Sequence, residues 1–204
     1  MTEPIRYPTF VAFSSGVCIA RGSLPTVALE VKRATDAGAP RAIQVFDAET
    51  SEPLDLDLGG TIDDVERRHQ LDDAPMPSHR TDEAVRPRPA RGRPRTGVVS
   101  REVTLLPRHW AWLAEQPGGA SAALRRLVDE ARTTHAGRDA LRRAQERTYR
   151  FVSYVAGDAP GFEEAVRALY ARDGATFAAE TSEWPRDVRD HALRLAAPVF
   201  EPEA

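Results

Sequence analysis

Residues 70–96 constrain this chain more than any other stretch. Hydrophobic periodicity stops there, and Pro75, Pro77, Pro87, Pro89 and Pro94 alternate with charged residues. Such a composition cannot bury enough apolar surface to offset the conformational entropy of ordering it. A chain of 204 residues can build a core without disulfides or metals. That core has to lie on either side of a basic, proline-rich linker at 70–97. The sequence therefore divides into a small domain at 1–69, the linker, a short segment at 98–135 and a helical domain at 136–204.

The first part reads as a ββαββ unit. Residues 10–13 and 17–20 are apolar runs separated by Ser14, Ser15 and Gly16, the pattern of a hairpin. Leu24, Val27, Ala28, Val31 and Ala34 recur at helical spacing, with Pro25 in the first turn and Gly38 past the end. A second strand pair is expected at 42–46 and 54–58. In the latter strand Leu54, Leu56 and Leu58 alternate with Asp55 and Asp57, so one face is buried and one is solvated. Residues 61–69 add a short helix.

After the linker, residues 98–105 read as a strand, 107–116 as a helix with Trp110 and Leu113 inward, and 121–134 as a second helix. Leu124, Leu127, Val128 and Ala131 form its apolar stripe, Ser121 is its expected N-cap, and Gly118 and Gly119 supply the turn before it. The remainder forms a helical bundle, with helices over 141–155, 162–170, around Phe177 and Trp184, and 188–195. The fold class is α+β.

The net charge of −3 gives no global attraction to nucleic acid, so any such attraction has to be local. Arginine abundance is weak evidence here. Lys32 is the single lysine among 28 basic residues, the bias a GC-rich genome imposes on any protein. The clustering is more informative: Arg80, Arg86, Arg88, Arg91, Arg93, Arg95 and Arg101 fall in one stretch that is poor in apolar side chains.

Within that stretch Arg91, Gly92, Arg93, Pro94 and Arg95 resemble the AT-hook. In that motif an extended Arg-Gly-Arg-Pro core lies in the narrow minor groove of A·T-rich DNA. Gly lets the backbone approach the groove floor, Pro favours extended geometry, and the guanidiniums sit in the enhanced negative potential. The bland alternative is a solvated basic linker.

Residues 98–132 resemble the ribbon-helix-helix family of DNA-binding proteins through the short basic-flanked strand, the turn at Gly119 and Ser121, and the two helices. The resemblance implies a homodimer whose paired strands enter the major groove. Arg101 or Thr104 would then face bases, and amides around Gly119 to Ala122, at a helix N-terminus, would hold a phosphate. One departure matters. Ser100, Glu102 and Thr104 share a strand face, so a polar groove face brings Glu102 to the DNA, where it can accept only from a donor such as cytosine N4. Alternatively the strand joins the N-terminal sheet of its own chain.

Chemistry has no comparable support. Cys18 is the only cysteine, which excludes an intramolecular disulfide and a multi-cysteine zinc site. His69, His79, His109, His135 and His191 lack metal-ligand spacing, and there is no phosphate loop or nucleophile elbow. No catalytic residue, metal or cofactor is expected. No signal peptide or spanning segment is evident, and the cytoplasm is the expected location.

Taken over nearly its full length, the chain is similar to an uncharacterised bacterial family, domain of unknown function 2239. The resemblance rests on GRPRTGVVSREVTLLPRHWAWLAEQPGGASAALRRLVDEAR, FVSYVAGDAPGFEEAVRALY, WPRDVRDHALRLAAP and the opening FVAFSSGVCIARG. It implies no activity. The residues themselves point to a homodimeric DNA-binding protein, a transcriptional regulator or nucleoid-associated factor preferring A·T-rich duplex. A protein-interaction module without nucleic acid is the alternative, and an enzyme with a cleft near Asp55 or His191 ranks last.

Overall fold

A computed structural model describes residues 9–39, 42–70 and 99–201 of the chain. It is a mixed α+β structure. Strands β1 (Phe10–Ser14), β2 (Val17–Gly22), β3 (Gln44–Asp47) and β4 (Pro53–Leu54) form one antiparallel sheet in the order β2-β1-β3-β4. Among the described residues the helices are α1 (Leu24–Asp36), α2 (Ile62–Gln70), α3 (Pro107–Ala114), α4 (Gly119–Val155), α5 (Phe162–Ala171), α6 (Gly174–Glu180) and α7 (Arg186–Phe200). The chain forms two compact units, one of residues 1–76 with 137–204 and one of residues 77–136.

The larger unit starts from a two-residue hairpin. Ser14 pairs with Val17, and the intervening Ser15 and Gly16 both have positive φ, 50° and 81°, the geometry that matches strand twist. Gly16 has a second reason to lack a side chain, because a Cβ there would lie 2.7 Å from Pro185 Cγ. The ladder then slips. Ala12 pairs with Ala20 while Phe13 pairs with Cys18, leaving Ile19 as the extra residue of a bulge.

The sheet is covered on both faces. Val27 and Val31 of α1 pack with Ala12 and Val45, joined by the half-buried Ile19, Ala20, Leu54, Leu56 and Leu58. On the other face Val11, Phe13 and Phe46 meet Phe151 and Val152 of α4, Leu169 of α5, Phe177 of α6 and Val188, Leu195 and Val199 of α7. Phe151 is fully buried, with ring centroids 5.2 Å from Phe13 and 5.6 Å from Phe46. The sequence reading separates 1–69 from 136–204; instead, their apolar residues form one cluster. Neither the hairpin face nor the amphipathic helices can bury their stripes alone.

Capping follows local chemistry where it can. Asp173 caps α6, its Oδ1 accepting from the Thr176 amide at 3.0 Å and its Oδ2 from the Thr176 hydroxyl at 2.6 Å; these bonds hold its carboxyl below the usual range.

Three sequence expectations need correction. The strand expected over 54–58 is only Pro53–Leu54, although Leu54, Leu56 and Leu58 still face α1. The helices expected at 121–134 and 141–155 are one 37-residue helix, α4, which accommodates Gly137. The strand expected at 98–105 is absent over 99–106, because a single edge with no partner closes no ladder within one chain.

Candidate nucleic-acid interface and an arginine-histidine cluster

The predicted nucleic-acid residues fall in two groups. Arg91, Gly92, Arg93, Pro94 and Arg95 lie outside the described residues. Arg101 and Thr104 are exposed in the extended segment ahead of α3, as is Glu102 between them. Ser121 is not the N-cap of α4. The helix begins at Gly119, after Gly118 and Gly119 at φ 81° and 75°, which places Ser121 in the first turn with its side chain exposed. The Gly119 amide donates to the Gln116 carbonyl at 2.9 Å, so it is not among the amides free to hold a phosphate.

The smaller unit has little core of its own among the described residues. Leu113 and Ala123 are buried, but Trp110, expected inward, is 43% exposed. Trp112, Val99, Val103, Leu106, Leu127 and Val128 are also exposed. The helical spacing is right, yet the stripes it generates are not covered.

A second constellation lies in the larger unit, where β2 meets α7, and its members are far apart in sequence. The bulge at Ile19 sets it up. With an unbroken ladder Arg21 would face α1; the extra residue instead pairs Arg21 with Val11, on the face that meets the C-terminal helices. On α7, Asp187, His191 and Arg194 share one face by their spacing. Asp187 Oδ2 accepts from the Cys18 amide at 2.9 Å, tying the bulged strand to the helix.

His191 is 2% exposed and packs against both the Phe13 and Phe151 rings, with centroids 5.6 and 4.5 Å away. Its Nδ1 is 3.1 Å from Arg21 Nη2 and 3.2 Å from Arg194 Nη2. A guanidinium only donates, so Nδ1 is the acceptor and the proton sits on Nε2, which is buried without a hydrogen-bond partner. Burial, followed by the Arg21 and Arg194 charges, lowers the pKa to about 4, and the ring is neutral at pH 7. Among the described residues no carboxylate pairs with either arginine.

Residues 9–196 match the model of a family described as an uncharacterised protein conserved in bacteria, DUF2239. The chain belongs to this family. As a DUF2239 protein it is matched from just before β1 into α7, so the match takes in Arg21, His191 and Arg194 as well as the exposed Arg101 segment. Comparison with curated proteins and with solved structures gives no match. Among the described residues no helix is long and apolar enough to cross a membrane, and no group of three acidic, His or Cys side chains could hold a metal ion.

The sequence reading missed Arg21, His191 and Arg194 as a group. Arg21 and His191 are 170 positions apart, and the only local signal is the His191 to Arg194 spacing on one helix.

Proposed function

We propose that this DUF2239 protein binds DNA as a homodimer joined through its 98–135 segment, acting in the cytoplasm as a transcriptional regulator or nucleoid-associated factor. One observation carries the reading: Val99, Val103, Leu106, Trp110, Trp112, Leu127 and Val128 are each exposed in a unit where, among the described residues, Leu113 and Ala123 are the buried apolar side chains. Residues 99–106 alternate in a strand pattern but have no ladder within one chain. A second copy in antiparallel register supplies the missing ladder and covers Val103 and the helical stripes. That is the ribbon-helix-helix arrangement, and it sets two copies of Thr104, with Glu102 beside it, on the face opposite Val103, with the arm at Arg91 to Arg95 directly upstream. The net charge of −3 makes attraction depend on this local arginine cluster.

Light scattering of the full chain tests the assembly. A dimer that becomes a monomer in Val103→Asp supports it; a wild-type monomer at high micromolar concentration overturns it. The two exposed tryptophans favour a second reading, a surface that docks another protein. On that reading the chain is monomeric and duplex DNA leaves it unbound.

A further inference from the structure

We propose that Arg21 and Arg194, seated on His191, form a binding site for a phosphate-class oxyanion in the larger unit. Nδ1 of a neutral imidazole has one in-plane lone pair, yet two guanidiniums point Nη2 at it from 3.1 and 3.2 Å. Each guanidinium carries five N–H donors, and among the described residues His191 is the only hydrogen-bond partner of either. Two cations thus converge from separate elements, β2 and α7, on one weak shared acceptor, without a carboxylate to neutralise them.

Nearby acids are otherwise engaged. Asp187, one turn before His191, accepts from the Cys18 amide, and Asp190 pairs with Arg186 and Arg189. The inner wall of the site is His191, 2% exposed, whose Nδ1 both guanidiniums share; its unpartnered Nε2 is on the other edge of the ring and does not face them. Both arginines are solvent-exposed, so a ligand can reach them while His191 fixes their inner ends.

The geometry favours phosphate over carboxylate. Guanidiniums from a strand and a helix approach from different directions, and a tetrahedral oxyanion can give each its own pair of oxygens, whereas a planar carboxylate has two in all. The same chemistry is found in free phosphate compounds and in a nucleic-acid backbone. The proposal goes beyond the DNA reading and is independent of it, since that reading rests on Arg91, Arg93, Arg95 and Arg101.

Titration calorimetry of the full chain with inorganic phosphate and pyrophosphate, at constant ionic strength in chloride, tests it. Saturable one-site binding is expected, weakened at least about tenfold in Arg21→Gln and in Arg194→Gln. Arg67→Gln, at an exposed side chain of α2, should bind as the wild type does. Imidazole nitrogen NMR on the wild type gives a readout that does not depend on variants folding, and the His191 Nδ1 resonance should move with phosphate. A duplex arm separates the two sources. If phosphate displaces duplex and Arg194→Gln weakens duplex binding, the occupant is a backbone phosphate; if duplex binding is indifferent to both, it is a free phosphate compound. Absence of saturable binding with an unmoved His191 resonance, or undiminished affinity in both variants, overturns the proposal.

Discussion

Lowering the pH from 8 to 5 should weaken the larger unit through His191. A histidine whose folded pKa is depressed from 6.5 to about 4 leaves the unfolded chain to take up its proton first, so stability is full above pH 6.5 and falls as the pH drops towards 4. At about 1.4 kcal/mol per unit of pKa, the whole displacement is worth ~3 kcal/mol, of which ~2 kcal/mol is gone by pH 5. The groups around the ring set the direction. Arg21 from β2 and Arg194 from α7 oppose protonation, and Asp187 on α7 is held by the Cys18 amide. Arg147 of α4 bonds the Leu195 carbonyl one turn on, while β1 and α4 present the uncharged Phe13 and Phe151 rings.

The assay is urea unfolding in phosphate-free buffer, followed by Trp184 fluorescence in a Trp110→Phe, Trp112→Phe background. Trp184 is 4% exposed and belongs to the larger unit's core, so it reports that unit alone. His191→Asn keeps an acceptor near the Nδ1 position but cannot titrate. Subtracting its profile from the parent's cancels the other histidines and the carboxylates. The parent should lose ~2 kcal/mol more than the variant between pH 8 and 5. Parallel profiles over that range would refute the reasoning.

Two further substitutions probe the same core. Phe151→Ala removes a fully buried ring that touches both strands β1 and β3 and His191; it should lower unfolding free energy by ~3–5 kcal/mol, read in the same urea assay. Gly161→Ala puts a Cβ at φ 74° and 2.8 Å from the Glu180 carbonyl oxygen, so a loss of at least ~1 kcal/mol is expected, visible as a lower melting temperature. An unchanged melting temperature would mean that the turn before α5 rearranges freely.

Much of this fold is legible where local pattern and tertiary environment agree. β1, β2 and α1 lie where alternation, the Ser15-Gly16 turn and the Leu24, Val27, Ala28, Val31 spacing put them. Legibility fails where the answer depends on something outside the local segment. Gly137 resembles a helix stop, yet α4 runs through it, because one glycine costs only ~1 kcal/mol in a long helix. Residues 99–106 alternate like a strand, but alternation specifies a face and supplies no partner. The cluster at His191 depends on a one-residue slip between Ala12 and Phe13; without it Arg21 would point to α1, and no spacing in the chain announces a bulge. Trp110 and Leu113 share a helix, yet only Leu113 is buried, a distinction that periodicity does not draw.

Fluorescence anisotropy with labelled A·T-rich and G·C-rich duplexes over a salt series addresses the DNA-binding proposal head on. If Arg91, Arg93, Arg95 and Arg101 of two chains each neutralise one phosphate, the logarithm of the association constant should fall with log salt at a slope near about −7. Arg93→Ala should reduce that slope by about 2 per dimer and weaken A·T-rich binding more than G·C-rich binding. A chain with no measurable duplex affinity at low salt, or with an affinity insensitive to salt and to Arg93→Ala, would contradict the proposal.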